Sequence, residues 1–172
     1  LRKDVFQYLS DIPFRIHGEL AEDLLRKRDT LSEWSQGRNE KAIFLADKFV
    51  TEFQTIGTET FYSPFALMCY RGRGYASRWP MHPMCCKKVR SVFCFADSYK
   101  VTAKMLNRWG NSIKHRYGYN SSTINKILAS KVSKDAFLAH GGTPMVLGEL
   151  MRFTEAKKTA RTNHISYIDM NA

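Results

Sequence analysis

The sequence predicts a helix-rich α+β fold. Three observations carry that expectation. Helical periodicity recurs in both halves of the 172 residues. A Gly-, Pro- and aromatic-rich stretch between them has the composition of short strands and loops. The chain then closes on a brief apolar run that reads as a strand. Apolar residues make up 44% and aromatics 13%, enough to bury a core at this length.

The first predicted helix runs from Leu20 to about Trp34, with Leu24, Leu25 and Leu31 at helical spacing. "SQG" (Ser35 to Gly37) breaks it. A second helix follows, roughly Asn39 to Gln54, where Ile43, Phe44, Ala46, Phe49, Val50 and Phe53 recur at three and four residues. Residues 55–86 supply the strand-and-loop region. A basic helix is expected from Tyr99 to Arg116, with Val101, Met105, Leu106, Trp109 and Ile113 on one side. Ser121 or Ser122 is expected to cap a shorter helix through Ile124, Ile127 and Leu128. Thr143 before Pro144 is an N-cap and first-turn pair for a helix reaching about Lys158, with Val146, Leu147, Leu150, Met151 and Phe153 on its apolar face. The last element is a strand from Ile165 to Asp169. Few other strands are evident, so either another polypeptide completes its sheet or the domain is mostly helical with one edge strand.

There is no apolar run near 18 residues, and the charged, amphipathic start is not a signal peptide. A soluble, cytoplasmic protein without membrane contact is the expectation. Cys69, Cys85, Cys86 and Cys94 match no zinc-binding spacing, even with His82 nearby, and read as free thiols. Net charge is +11, and its placement is uneven. From Thr60 to Lys134, fourteen Lys and Arg face one acid, Asp97, leaving the rest of the chain near neutral. Tyr62, Tyr70, Tyr75, Trp79, Tyr99, Trp109, Tyr117 and Tyr119 are interleaved with those charges. Segregated positive charge with stackable rings is the footprint of a surface that follows a phosphate backbone.

Two stretches, in this order and separation, resemble the single-subunit DNA-dependent RNA polymerases of bacteriophages and mitochondria. In "FYSPFALMCYRGRGYA", Tyr70-Arg71-Gly72-Arg73-Gly74-Tyr75 is similar to the family's aromatic-Arg-Gly-Arg-x-Tyr block, with Cys69 where the family has Asp. "ISYIDMNA" is similar to the strand that ends in the family's first catalytic Asp. Between them, "GGTPMVLGELMRF" resembles the helix preceding that strand. Upstream, "IPFRIHGELAEDLL" and "NEKAIFLADKF" resemble the helices leading into the palm.

The resemblance implies an abbreviated thumb over residues 1–56 and the first part of a polymerase palm over 57–172, its sheet completed by a partner chain. It implies Asp169 as a catalytic residue and, with the backbone carbonyl of Met170, a ligand of Mg2+. It further implies template and hybrid binding by Arg71 and Arg73, with Tyr70, Gly72 and Arg90 beside them. The reaction would be two-metal nucleotidyl transfer, in which carboxylate-held ions about 4 Å apart activate the 3′-hydroxyl and stabilise the leaving pyrophosphate. Fork-shaped guanidinium groups suit phosphates, and glycine lets the backbone approach them closely.

The family also uses a nucleotide-gripping helix and a second metal-binding Asp, both after the first. "RWGNSIKHRYG" (Arg108 to Gly118) mimics that helix but has the wrong spacing and precedes the strand, so it reads as an amphipathic helix with a basic outer face. The expectation is the N-terminal subunit of a split, heterodimeric polymerase. Its partners would be a second subunit carrying the missing helix and Asp, DNA template, nascent RNA, ribonucleoside triphosphates and transcription factors. Two rivals stay open: a non-catalytic basic nucleic-acid-binding protein, and another metal-dependent nucleic-acid enzyme.

Overall fold

The computed structural model describes residues 2–26, 40–67, 74–76, 81–83 and 90–165. Seven α-helices and seven short strands occur among them. Their order is α1 (Arg2–Ser10), β1 (Pro13–Ile16), α2 (Gly18–Arg26), α3 (Glu40–Ile56), β2 (Phe61–Tyr62), β3 (Phe65–Leu67) and β4 (Gly74–Ala76). A 3-10 turn (Arg90–Val92) leads into β5 (Phe93–Phe95) and β6 (Tyr99–Lys100). Then come α4 (Ala103–Tyr117), α5 (Ser121–Leu128), α6 (Lys131–Ala139), α7 (Pro144–Thr159) and β7 (Arg161–Thr162). The helix-rich α+β expectation holds.

The strands form three small antiparallel sheets, more sheet than the sequence suggested. β1 lies between β2 and β5, β3 pairs with β4, and β6 pairs with β7. β1 alternates as a half-buried strand should, with Phe14 and Ile16 inside and Arg15 outside. It escaped notice because four residues give too short a period to read. Its pairing with β2 and β5 joins residues 1–56 and 57–172 in one sheet.

Several boundaries move for local reasons. Of the predicted Leu20–Trp34 helix, Gly18–Arg26 is helical, and residues 27–34 lie outside the described residues. Tyr99 and Lys100 do not begin a helix; they pair with Thr162 and Arg161, and Thr102 is the N-cap, accepting from Met105 N. Asn120, not a serine, caps α5 and accepts from Thr123 N. Thr143 caps α7 as expected, accepting from Val146 N, and Pro144 opens the helix. α4 ends on Gly118 with φ 74°, where a left-handed residue lets its N–H reach Lys114 O.

The core has two parts, and α7 stands between them. Leu147 joins Phe14, Ile16, Leu20, Leu24, Phe61 and Phe93 in the larger one. Leu150 and Phe153 join Ile113 and Ile124 in the smaller one. Because α7 is covered on most sides, Gly148, Glu149 and Arg152 are buried with its apolar residues. Gly148 is needed for this fit: a Cβ there would lie 2.8 Å from Leu20 Cδ2 and 3.3 Å from Ser91 O.

An ion network closes the other side of α2. The Lys134 ammonium is buried and meets Asp23 at 2.8 Å, with Glu19 as a second partner. Arg26 bridges Asp23 to Asp135. Burial depresses the Lys134 pKa, but hydrogen bonds to Asp23 and Glu19 outweigh it and hold the group above its ordinary value. Removing one member of a buried pair strands the other, at a cost of about 3 kcal/mol. Lys134→Ala is therefore expected to lower unfolding stability by about that amount. Urea denaturation followed by circular dichroism measures it, and a loss below ~1 kcal/mol would refute the role given to this pair.

Candidate nucleic-acid interface

The positions that the resemblance singles out fall mostly outside the described residues: Tyr70, Arg71, Gly72 and Arg73, and also Asp169 and Met170. Their flanks are described. β3 and β4 pair antiparallel with Leu67 opposite Gly74, so the strands on either side of the Arg-Gly-Arg block are neighbours. Arg90 opens the 3-10 turn before β5 and is half-buried.

The segment that leads to Asp169 leaves β7 alongside β5. Phe95 N donates to Asn163 O at 3.0 Å, and Ile165 packs against the larger core. Arg90 and residues 163–165 thus both attach to β5, one at its N-terminal approach and the other at its last residue. That juxtaposition is what the described residues bring together.

His164 is the hinge of this approach. Its imidazole stacks on Trp109 with ring centroids 5.1 Å apart and planes 16° apart. Its carbonyl accepts from the Tyr99 hydroxyl at 3.2 Å. The Trp109 indole also meets the Phe153 ring edge-on and donates from Nε1 to Glu149 Oε1 at 3.0 Å. Glu149 is buried, and its carboxylate accepts from Arg116 and, at 2.9 Å, from the Tyr117 hydroxyl as well. Burial first, and the Glu149 charge second, push the Tyr117 phenol above its ordinary pKa. A carboxylate so fully satisfied is stable inside the protein.

Arg152 lies one turn further along α7. Its guanidinium donates to Ser91 O at 2.8 Å and to Phe93 O at 3.2 Å, fastening α7 to the turn and strand that follow Arg90. Glu149 and Arg152 were not foreseen from sequence. The signal was available only as two charges inside a helix whose apolar face is broad.

Rings marked for stacking divide into two groups. Trp109 is committed to His164 and Phe153, and Tyr117 and Tyr119 pack against each other at 6.1 Å. Tyr62 and Tyr99 remain exposed. Tyr70 and Trp79 lie outside the described residues. The basic window divides likewise. Lys100, Lys104, Arg108, Lys114, Lys126 and Lys131 face solvent, whereas Lys134 and Arg116 are taken by carboxylates.

Among the described residues there is no group of three or more His, Cys, Asp or Glu able to hold a metal ion. Of the residues considered for zinc, His82 packs on the Phe14 and Phe65 rings, and Cys94 is a buried thiol whose pKa burial raises. No helix of the described residues is long and apolar enough to cross a membrane. Compared with protein-family models the chain matches none, and no curated protein matches it.

Three histidines give the fold a pH dependence of known sign. His17, His82 and His164 are each lowered from 6.5 to about 4, chiefly by burial. The Arg152 charge adds to that lowering at His17 and His164. His17 Nδ1 accepts from Leu20 N, which also requires the neutral ring. The unfolded chain takes up these protons near 6.5, before the folded protein does, so stability falls as pH drops from 6.5 toward 4 and is unaffected by them above 6.5. His17 and His164 each contribute on the order of 3 kcal/mol to that loss. Urea midpoints at pH 7.5, 5.5 and 4.5 should fall steeply between the last two, and His164→Phe should flatten the fall. A midpoint independent of pH would contradict the burial of these rings.

Proposed function

We propose that this chain is a subunit of a DNA-dependent RNA polymerase, supplying the first catalytic Asp and arginines that hold template and hybrid. The observation that carries the reading is the ordered pair of motifs: Arg71-Gly72-Arg73, then a short apolar run ending in Asp169. Two structural facts support it. The strands flanking the arginine block pair with each other, and the segment approaching Asp169 lies beside the strand that Arg90 leads into.

In this reading residues 1–56 form an abbreviated thumb and 57–172 the first part of the palm. Asp169 and the Met170 carbonyl are hard oxygen donors of the kind Mg2+ prefers. The bound ion would supply electrostatic stabilisation of the transferring phosphoryl group. Arg71 and Arg73 would grip phosphates of template and RNA–DNA hybrid, with Tyr70, Gly72 and Arg90 shaping that grip. A second subunit would bring the nucleotide-binding helix and the second Asp, and would complete the palm sheet. Ribonucleoside triphosphates would be the substrates, with transcription factors directing initiation in a cytoplasmic setting.

The experiment is a tagged purification with whatever subunit accompanies the chain, followed by template-dependent incorporation of ribonucleotides or deoxyribonucleotides. Asp169→Asn should lower ribonucleotide incorporation about a thousandfold and leave DNA binding unchanged. Full incorporation by the variant, or by the isolated chain, would end the proposal. DNA binding with no incorporation in any preparation would favour a non-catalytic nucleic-acid-binding protein, and incorporation of deoxyribonucleotides alone a DNA-synthesising enzyme.

A further inference from the structure

A trough runs between α4, the start of α5 and the outer flank of α7. It consists of two recesses of about 470 and 300 Å3 that share Ser121, Ile124, Phe153 and Lys157. Its floor is apolar. Gly110 gives it depth, because a Cβ there would sit 3.0 Å from Phe153 Cζ. Lys114 stands on the α4 wall and Lys157 and Lys158 on the α7 wall. Asn107, Asn111 and Asn125 supply amides between them, and Tyr119 closes one end.

The charges in this trough differ from the cations that hold the helices together. Arg26, Arg116 and Lys134 all meet carboxylates. Lys114, Lys157 and Lys158 have no acidic partner among the described residues, and no Asp or Glu lines the trough. Lys157 Nζ rests 5.7 Å from the Phe153 ring centroid, held over the floor by a cation–π contact instead.

From this arrangement we infer that the trough binds a single strand of nucleic acid. Lysines on opposite walls suit the phosphates of one backbone, and neutral amides offer the paired donor and acceptor that base edges require. An apolar floor accepts a base face, as in other grooves that follow single strands. A duplex is too wide to enter recesses of this size and would touch only the rim. The surface belongs to α4, α5 and α7, and its lining includes none of the residues that the resemblance singles out. The inference therefore goes beyond the polymerase reading and does not rest on it.

The test compares the full chain with the double variant Lys114→Glu, Lys157→Glu, using fluorescence anisotropy of a labelled oligonucleotide at several salt concentrations. Both lysines are exposed, so folding should persist, and an unchanged thermal melt confirms it. Affinity for a single strand should fall at least about tenfold, and the slope of log K against log salt should shrink by about 1.4, two cations at 0.7 each. Ultraviolet crosslinking of a 5-iodouracil strand to the unaltered chain should mark Tyr119 or its neighbours in residues 103–125. Unchanged affinity and slope would overturn the inference. Equal losses for strand and duplex, with no crosslink in that region, would reduce it to a general charge effect and overturn it too. Displacement of the strand by a nucleoside triphosphate, with no dependence on strand length, would assign the trough to a free nucleotide instead. None of these readouts uses Asp169, so they stand whether or not incorporation is ever found.

Discussion

The architecture depends on one buried cation. The Arg152 guanidinium, almost wholly removed from water, donates to the carbonyls of Ser91 and Phe93 and so binds the central helix α7 to the turn and strand that begin at Arg90. Hydrogen bonds from a charged donor contribute about 1.5–3 kcal/mol each, and leaving such a group without them inside the protein would cost more than that. Arg152 therefore fixes the register of α7 against β5. Gly148, one turn earlier, faces the same Ser91 carbonyl, which a Cβ there would approach to 3.3 Å. Helix and strand are held at that distance by a fork of hydrogen bonds on one side and a missing side chain on the other.

What lies around Arg152 follows from its charge. His17 and His164 sit within its field, and both are neutral partly for that reason. A neutral His164 can lie flat on Trp109, and a neutral His17 can accept from the first turn of α2. Glu149 completes the balance on the same helix, drawing in Arg116, Tyr117 and Trp109 from α4. Through Trp109 and His164 this cluster reaches the segment that runs on to Asp169. The approach to the proposed catalytic strand is thus set by a chain of polar and aromatic contacts, not by apolar packing alone.

Legibility from sequence tracked the range of the forces involved. α7 was readable at both ends because Thr143 and Pro144 act within one turn, and α3 because its apolar residues repeat at helical spacing. β1 and β6 were not, since four- and two-residue strands exist only through partners 45 or more residues away: Phe14 beside Phe61 and Phe95, Tyr99 beside Thr162. The start of α4 was misplaced for the same reason. Glu149 and Arg152 escaped because a charged residue in a helix reads as solvent-facing until the partner elements are known. Of the candidate site, the motif positions came from resemblance, while the contacts that position their flanks are tertiary and had no local signature.

The basic window carries a similar lesson about what charge means. As a sum, it suggests one continuous phosphate-binding surface. The fold instead divides it by environment. Lys134 is drawn inward to Asp23 and Glu19, and Arg116 to Glu149, where they hold helices together and contribute nothing to a distant phosphate. Lys114 remains outside, and with Lys157 and Lys158, which lie beyond the window altogether, it borders a trough free of acids. Charges screened within about 10 Å at ordinary salt act only on what touches them. In the proposed reading, the surface that would meet nucleic acid is therefore drawn from the cations that the fold leaves without a carboxylate, and that selection redraws the boundary the sequence suggested.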